Sequence, residues 1–361
     1  MLSLEEAQAR VLSAITPLGN ELVPLGSSFA RIAGENVLAS LDLPAFDNPA
    51  MDGFAVRAED VREASATNPV RLRVIATVAA GDEPSPGLAP QTSVRVFTGS
   101  PLPPGSDAVV MQEDTRTTGD FVEVLDAAKP REHVRFRGED VKRGDALVRA
   151  GERLTIGQLS VLAATGASGV CVGKKPIIAI LSTGDELVEA GTPLANGKIY
   201  ESNRATLSLL IAQSGGIAVS LPLVPDTLAA TRAALDHAFG QADAVITTGG
   251  VSVGERDFVK TAFEEIGGVQ EFWKVAIRPG KPFVFGRWRE QFLFGLPGNP
   301  VSAFVTFLML VRPALLRWQG ASETGLSIRR AVLAESFSNP GERRHFVRVA
   351  LDRGGAVRST G

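Results

Sequence analysis

The loop at residues 247–257, with the sequence TTGGVSVGERD, carries residue types that could bind an anion and a metal ion together. It follows an apolar run at 244–246 that reads as a buried strand. Glycines in such a loop let backbone N–H groups approach an anion closely, above all where the loop opens a helix. The acids at its far end, Glu255 and Asp257, suit a metal ion that accompanies the anion. A strand-to-helix turn without a ligand would use similar residues, so this loop alone does not decide the function.

Other polar loops follow predicted strands in the same half of the chain. They are STGDE at 182–186, PDT at 225–227 and LPGNPVS at 296–302. In open α/β sheets, ligands bind beyond the carboxyl ends of the strands. We therefore expect these loops and the glycine loop to converge on one rim and form a binding site.

The charged residues of this region fall into two groups of opposite sign. The carboxylates on or near the loops are Asp185, Glu186, Asp226, Glu255 and Asp257, and hard oxygen ligands of this kind favour Mg²⁺. The segment 274–289 carries the cations Lys274, Arg278, Lys281, Arg287 and Arg289. A solvated face is one interpretation of this basic run, but its prolines would hold the cations in place. Fixed cations beside metal-binding carboxylates indicate a phosphate or another tetrahedral oxyanion.

The elements that position these loops alternate between strand and helix after Pro176. Strands are predicted at 177–182, 217–224 and 243–248, and a hairpin at 282–296. Helices are predicted at 204–214, 228–239, 257–266 and 301–318. This alternation predicts an α/β domain whose parallel sheet is covered on both faces.

The sequence before Pro176 predicts a different arrangement of helices and strands. Ser3 and Glu6 form a capping-box pattern that predicts a helix to about Ile15. Short β-type runs between Pro- and Gly-rich turns predict a β-rich module at 43–145, followed by a helix at about 156–165 and a strand at about 169–172. Residues from about 322 are predicted to form a small β module.

Composition excludes several classes of protein. The chain has 361 residues, enough for two or three domains, and its 37 basic and 40 acidic residues give a net charge of −3, which does not favour nucleic acid or an acidic membrane. Cys171 is the only cysteine and there are three histidines, so an internal disulfide, a thiolate cluster and a His-rich zinc site are not expected. The start lacks a signal-peptide pattern and the longest apolar run, 301–311, is about half a membrane span. We expect a cytoplasmic protein.

Motifs in a fixed order give a family resemblance over nearly the whole chain. They are NPAMDGFAV (48–56), FTGSPLPPGSDAVVMQED (97–114), LSTGDELV (181–188), TTGGVSVGERDFVK (247–260), IRPGKPFVFG (277–286) and GLPGNPVSA (295–303). Together they resemble the molybdopterin molybdenumtransferases, the MoeA-like family that includes the gephyrin E domain. The resemblance implies a transferase of molybdenum cofactor biosynthesis. Such an enzyme inserts molybdate into adenylylated molybdopterin and releases AMP, with a divalent ion such as Mg²⁺.

The resemblance also implies a fold of four parts. These are an elongated discontinuous domain (1–42 and 146–173), an inserted β-rich domain (43–145), an α/β molybdopterin-binding domain (174–321) and a C-terminal β-barrel-like module (322–361). Relatives continue past a motif such as the final STG, so the last module is expected to be partial, with an open edge and without one molybdate-side serine. A homodimer is implied, with each site between the α/β domain of one subunit and the inserted domain of the other.

The resemblance assigns roles to individual residues. Asp185, Glu186, Asp226 and Asp257 would handle Mg²⁺ and the phosphoanhydride. Gly249, Gly250 and Ser252 would line the pyrophosphate path, with Asn299 in the neighbouring loop as a further substrate-binding residue. Lys274 and Arg278 would neutralise substrate phosphates, although many relatives have lysine at the position of Arg278. Lys281, Pro282, Ser302 and Arg343 resemble molybdate-side residues, and Asp52 and Thr98 would come from the second subunit.

Two other functions are compatible with parts of the pattern. A protein-binding scaffold of the same fold, as in the gephyrin branch, would not need the acids and cations that the rim loops retain here. A molybdopterin adenylyltransferase would share the α/β domain, but the inserted MDG…FTG module argues against it. Proteins of the molybdopterin pathway, or molybdoenzymes, are the expected protein partners of the enzyme.

Overall fold

The computed structural model describes residues 1–83, 87–250 and 258–360. Its contacts divide the chain into two compact units. The first unit is Met1–Asn36, Val148–Ile156 and Gly169–Gly361, and the second is Val37–Leu147 and Gly157–Ser168. The four-part domain division stays a prediction.

Helices and strands occur throughout the chain. The α-helices are α1 (Leu4–Ala14), α2 (Ala58–Val61), α3 (Ile156–Ala164), α4 (Asn203–Gln213), α5 (Leu228–Phe239), α6 (Phe258–Glu265), α7 (Pro300–Thr306) and α8 (Arg312–Trp318). The strands are β1 (Asn20–Pro24), β2 (Val37–Leu38), β3 (Asn48–Pro49), β4 (Gly53–Val56), β5 (Val70–Val78), β6 (Thr92–Val96), β7 (Ala108–Met111), β8 (Thr115–Thr118), β9 (Phe121–Val124), β10 (Val134–Arg135), β11 (Ala146–Val148), β12 (Gly169–Gly173), β13 (Ile177–Ser182), β14 (Leu187–Val188), β15 (Ile199–Tyr200), β16 (Ile217–Ser220), β17 (Ala244–Thr248), β18 (Val269–Trp273), β19 (Ile277–Arg278), β20 (Val284–Trp288), β21 (Gln291–Leu296), β22 (Val332–Leu333), β23 (Arg344–His345), β24 (Val349–Leu351) and β25 (Ala356–Ser359).

Helix α1 begins with the predicted capping box. The Ser3 hydroxyl accepts a hydrogen bond from the Glu6 amide (3.2 Å), and the Glu6 carboxylate accepts one from the Ser3 amide (2.8 Å). These two bonds satisfy backbone donors that have no partner within the helix. The helix ends at Ala14 because Ile15 adopts an extended conformation.

The first unit contains a six-stranded sheet with the order β16-β13-β17-β21-β20-β18. The first four strands are parallel, whereas β20 and β18 are each antiparallel to their neighbour. The predicted parallel order holds for these four strands, and the predicted hairpin is β20–β21, which with β18 adds an antiparallel edge. Strand β18 has no prediction in the sequence, since Phe272 is its only fully buried residue and the apolar pattern is weak.

Strand β16 is shorter than predicted and ends at Ser220 rather than near 224. The Leu221 amide still donates to Ile180 O (3.0 Å), but Pro222 has no N–H and cannot continue the ladder. The chain then rejoins β13, where the Val224 amide donates to Ser182 O (3.0 Å). This contact brings the following PDT loop to the end of β13.

Both faces of this sheet are buried, as the alternation of strands and helices predicts. Along β13, Ile178 and Ile180 belong to a core with α1, α4 and the helix that begins at Pro300, whereas Ala179 and Leu181 belong to a core with α5 and α6. Successive side chains of a strand point to opposite faces, so each face receives its own layer of helices.

The predicted long helix runs from Pro300 to Trp318 and contains a π-helical turn at Phe307–Val311 between α7 and α8. Within the residues that the structure describes, it is the one helix with the length and composition to cross a membrane, and 56% of its apolar window is buried inside the protein. Phe307 and Leu310 are fully buried against the sheet. The helix is thus part of the core of the first unit.

The second unit is built on a six-stranded sheet with the order β7-β4-β6-β5-β9-β8, in the segment where the sequence predicts β-type runs. Strand β4 lies within the MDGFAV motif. At Gly53 a Cβ atom would lie 2.0 Å from the carbonyl oxygen of Val110, so only glycine permits the strands to pair at this point. Phe54 and Ala55 pack in separate cores on the two faces of the sheet.

The last residues of the first unit form short strands. Strands β22, β25 and β24 make a three-stranded sheet, and β23 pairs with β19. Their side chains are mostly exposed or half-buried. A small β element is present as predicted, and its relation to a barrel stays a prediction.

Candidate active site

The predicted rim loops meet at the carboxyl edge of the sheet in the first unit. The Thr183 amide donates to Thr248 O (3.3 Å), which joins the STGDE loop to the glycine loop. The Gly249 amide donates to Leu296 O (3.3 Å), which joins the glycine loop to the LPGNPVS loop. The convergence expected from strand topology is confirmed.

Asp185 and Asp226 form a reciprocal pair at this rim. The Asp226 amide donates to Asp185 Oδ1 (3.1 Å), and the Asp185 amide donates to Asp226 Oδ2 (3.3 Å). Burial raises the pKa of Asp226, and the negative charges of Asp185 and Glu186 raise it further, against the hydrogen bond from the Asp185 amide. A cation bound between the carboxylates would relieve this repulsion.

Glu186 lies close to the same pair. At Gly184 a Cβ atom would lie 2.8 Å from Glu186 Oε2, so the glycine leaves room for that carboxylate. The carboxylate oxygens of Asp185, Glu186 and Asp226 are the type of ligand that a hard divalent cation such as Mg²⁺ prefers. Across the described ranges no group of three or more His, Cys, Asp or Glu side chains is arranged to hold a metal. The fourth predicted ligand, Asp257, lies outside the described residues.

The glycine loop is described as far as Gly250. Gly249 and Gly250 have φ values of +84° and +65°, in the left-handed region. At Gly249 a Cβ atom would lie 2.8 Å from Thr183 O, and at Gly250 it would lie 2.5 Å from Val259 Cγ2. Both positions therefore require glycine for conformation and for close packing. Ser252, which is predicted to line the pyrophosphate path, lies outside the described residues.

The LPGNPVS loop passes directly into the long helix. Asn299 is the N-cap residue, and its Oδ1 accepts from the amides of Val301 (3.1 Å) and Ser302 (3.2 Å). The Ser302 hydroxyl lies 3.4 Å from the same oxygen. These contacts hold Asn299 and Ser302, two predicted substrate-side residues, together at the start of the helix.

Lys274 and Lys281 reach the same edge of the sheet by topology. Strand β18 runs in the direction of β21, since each is antiparallel to β20, so its carboxyl end lies at the rim. Lys274 follows that end, and its Nζ lies 3.9 Å from the centre of the Trp273 ring. The Val275 amide donates to Lys281 O (3.1 Å), which places Lys281 beside it.

The basic run 274–289 does not act as one unit. In the described part of the chain Lys274, Arg278 and Lys281 have no carboxylate within ion-pair distance, so their charges are available to an anion. Arg287 pairs with Glu290 (3.3 Å) at the hairpin turn, and Arg289 packs over Trp288. That turn lies at the opposite edge of the sheet from the rim. Arg287 and Arg289 therefore fit the alternative of a solvated face.

The distance between acids and cations follows from the strand order. Strand β13 precedes Asp185 and strand β18 precedes Lys274, and four strand spacings separate them. At about 4.8 Å per spacing the rim is about 19 Å long between these ends. An extended ligand with several anionic groups could span it.

Arg343 lies on the cation side. Strand β23 pairs with β19, and the Arg344 amide donates to Ala276 O (3.0 Å). Arg343 lines a cavity of about 270 Å³ together with Ser3 and Glu5. The RPGKP turn next to this strand packs on the long helix, because a Cβ atom at Gly280 would lie 2.6 Å from Thr306 Cγ2. Pro282 immediately precedes the buried Phe283.

Asp52 and Thr98 come together within the second unit. Asp52 Oδ1 accepts hydrogen bonds from the amide and the hydroxyl of Thr98, both 2.8 Å long. These bonds hold the pKa of Asp52 below its usual range, so its carboxylate stays ionised. The MDG and FTG motifs thus build one carboxylate position from two strands.

A buried ion pair beneath the rim has no counterpart in the sequence predictions. Glu201 and Arg204 contact each other at the start of α4, and Glu201 also contacts Ser182 at the end of β13. The segment YESNR resembles an ordinary polar helix start, so its only signal was its position between two predicted elements.

The sheet and its rim loops form an α/β domain with polar loops at its carboxyl edge. Residues 179–317 match the family model described as a probable molybdopterin binding domain. Residues 2–166 match the model described as the MoeA N-terminal region, domains I and II.

Whole-chain comparisons give the family. The chain is 41% identical over 325 residues to molybdopterin molybdenumtransferase of Haemophilus influenzae, covering 90% of this chain and 79% of the relative. It is 39% identical over 370 residues to molybdopterin molybdenumtransferase 2 of Mycobacterium tuberculosis, covering 100% and 91%. The crystal structure of a molybdopterin biosynthesis MoeA protein from Pyrococcus horikoshii superposes with a TM-score of 0.84 at 31% identity, covering 99% and 89%. The chain belongs to the molybdopterin molybdenumtransferase family, and the resemblance drawn from its motifs is confirmed.

Proposed function

We propose that this protein inserts molybdate into adenylylated molybdopterin and releases AMP in molybdenum cofactor biosynthesis. The observation that carries the proposal is the division of charge along one rim. The reciprocal carboxylates Asp185 and Asp226 occupy one end, and Lys274 and Lys281, which form no ion pair with any carboxylate that the structure describes, occupy the other. A substrate with a phosphoanhydride and an oxyanion partner needs both kinds of group.

The acids at the first end are suited to Mg²⁺. Asp185, Glu186 and Asp226 would hold it, with Asp257 as a further ligand from the segment outside the described residues. When bound, this ion withdraws charge from the phosphate that leaves with AMP. The carboxylates would also accept hydrogen bonds from a water that attacks the α-phosphorus, and so orient it; the bond from that phosphorus to the bridging oxygen then breaks, AMP leaves with the water oxygen, and molybdopterin keeps its phosphate.

The backbone amides and the cations bind the anionic groups of the substrates. The amides of Gly249 and Gly250 can approach the pyrophosphate because neither residue has a side chain. Lys274 and Arg278 offset the charge of the substrate phosphates. Lys281 and Arg343 bind molybdate as an oxyanion, next to Pro282, Asn299 and Ser302. No histidine acts as a base in this scheme.

The second unit contributes Asp52 and Thr98 from the other subunit of a cytoplasmic homodimer. The paired hydrogen bonds from Thr98 fix the Asp52 carboxylate in one position, which suits a binding residue better than a mobile surface acid. The family resemblance supports the dimer and the four-part domain plan.

The proposal is tested with purified protein, adenylylated molybdopterin, Mg²⁺ and molybdate, with AMP release as the measurement. We expect AMP release that depends on both Mg²⁺ and molybdate. Folded protein that binds the substrate and leaves it unchanged would reject the enzyme and favour a scaffold. Formation of adenylylated molybdopterin from nucleotide and molybdopterin would favour an adenylyltransferase.

A further inference from the structure

Beneath the rim lies a buried network centred on Glu201 and Arg204. The side chains of Glu201 and Arg204 are only 3% and 12% exposed. Removing both charges from water is unfavourable, and the attraction between them offsets this only when the geometry and the remaining hydrogen bonds are good. A hydrophobic pair could fill the same space, so the presence of charges calls for a reason beyond stability.

The network has a defined direction. Glu201 Oε1 accepts from the Ser182 hydroxyl (3.2 Å) and from the Arg204 amide (2.9 Å), and Oε2 accepts from Arg204 Nε (3.3 Å). A hydroxyl has one proton, and that of Ser182 is committed to Glu201. The Thr248 hydroxyl, 2.8 Å from Ser182 Oγ, must therefore be the donor between those two. The proton chain runs from Thr248 through Ser182 to Glu201.

Two members of this chain are the last residues of strands that carry site loops. Ser182 ends β13, just before the segment with Asp185, and Thr248 ends β17, just before Gly249. Both residues are buried, so their hydroxyls contact the protein interior and not a bound ligand. The chain fixes the two loops relative to each other from below.

Arg204 extends the same network to other parts of the rim. Its NH1 donates to Leu221 O (2.6 Å), on the approach to the loop with Asp226, and its NH2 pairs with Glu189 (2.5 Å). Next to it, Asn203 Nδ2 donates to Gly298 O (2.8 Å) in the LPGNPVS loop. Through these contacts the start of α4 reaches the end of β13, the approach to the PDT loop and the LPGNPVS loop.

We propose that Glu201 and Arg204 are positioning residues for the reaction, which set the spacing between the acid pair and the glycine loop. The inference rests on the proposed function and goes beyond it, because neither residue contacts substrate. A displacement of the order of 1 Å in such a site lowers the rate about 100-fold, so small loosening of the loops has a large effect.

Four variants test this role in the full-length protein. Glu201→Gln puts an amide donor toward Arg204, and we expect kcat to fall about 10- to 100-fold with KM nearly unchanged. Thr248→Val removes the first donor of the chain and leaves the ion pair intact, and we expect a smaller fall in kcat that Thr248→Ser restores. Glu189→Gln is the matched control, because it changes an exposed partner of the same guanidinium. We expect near wild-type kcat for it.

Amide hydrogen exchange gives a readout that does not require activity. In Glu201→Gln and Thr248→Val the amides of Thr183 and Gly249, which link the loops, should exchange at least several-fold faster. Core amides of β13 should be unaffected. Unchanged exchange with unchanged kcat would overturn the proposal, as would a loss of activity that only parallels a lower Tm. If the variants show faster exchange at these amides but the wild-type protein releases no AMP, the proposed function is rejected and the positioning of the loops by this network is not.

Discussion

Gly249 offers a direct test of how tightly the rim loops are packed. An alanine there would keep φ near +84° and bring its Cβ atom to 2.8 Å from Thr183 O. The left-handed conformation costs a non-glycine residue about 1 kcal/mol. The oxygen belongs to the backbone and cannot rotate away, so the overlap adds about 1–3 kcal/mol. We therefore expect Gly249→Ala to destabilise the first unit by about 2–4 kcal/mol.

Gly267→Ala is the matched control for this prediction. Gly267 has a similar φ of +88° in the turn after α6, and nothing lies within 4 Å of its Cβ position. It should show the conformational cost alone, about 1 kcal/mol. Urea denaturation of the two variants and the wild type gives the difference in unfolding free energy. Equal destabilisation by the two substitutions would refute the steric argument. We also expect Gly249→Ala, but not Gly267→Ala, to lose AMP release in the fraction that remains folded.

Three further perturbations address the charges of the site. Asp226→Asn should lose AMP release, because it removes a carboxylate proposed to hold Mg²⁺, and it should raise the unfolding free energy at pH 7. The pKa of Asp226 is raised in the folded protein, so wild-type stability falls as pH rises from the ordinary pKa of this group to its folded pKa. The stability gain of the variant should therefore vanish below about pH 4, and a gain that persists there would contradict this cause. Lys281→Ala should raise the molybdate requirement at unchanged pterin affinity, whereas Arg287→Ala should change neither; an equal loss of both in Lys281→Ala would place Lys281 on the substrate phosphates. Asp52→Ala and Asp257→Ala homodimers should each be inactive. Random reassociation makes half of the dimers mixed, each with one wild-type site, so a mixture should recover about a quarter of the wild-type sites. Inactive mixed dimers, or a monomeric protein by sizing, would exclude a site shared between subunits.

The parts of the fold that could be predicted are those with strong local patterns. Helix α5 was predicted at 228–239, where it is found, because apolar residues recur on one face and Thr227 caps it. The site loops were predicted to meet because parallel strands end at a common edge, a rule that needs no side-chain detail. Strand β18 could not be predicted, since its pairing with β20 decides it. The end of β16 could have been predicted, because Pro222 is present in the sequence and cannot continue the ladder.

The buried network could not be predicted from the sequence for a different reason. Glu201 and Arg204 are residue types that are almost always exposed, and helix starts commonly carry them on the surface. Their burial arises because β13, β17 and α4 meet at one point, which is a property of the tertiary structure. Likewise, Asp185 and Asp226 come from separate loops, and only the closure between β13 and Val224 makes them a reciprocal pair.

The separation of charge along the rim makes the two ends of the candidate site chemically different. Carboxylates follow β13 and β16 at one end, and cations follow β18 at the other, about 19 Å away. A long anionic ligand that lay the other way round would lose its contacts with the cations, and an oxyanion without an accompanying metal ion would face the carboxylates. Like charges placed together in this manner disfavour the wrong arrangement by several kcal/mol. The order of strands in the sheet would therefore determine both the length and the orientation of a ligand that spans the rim.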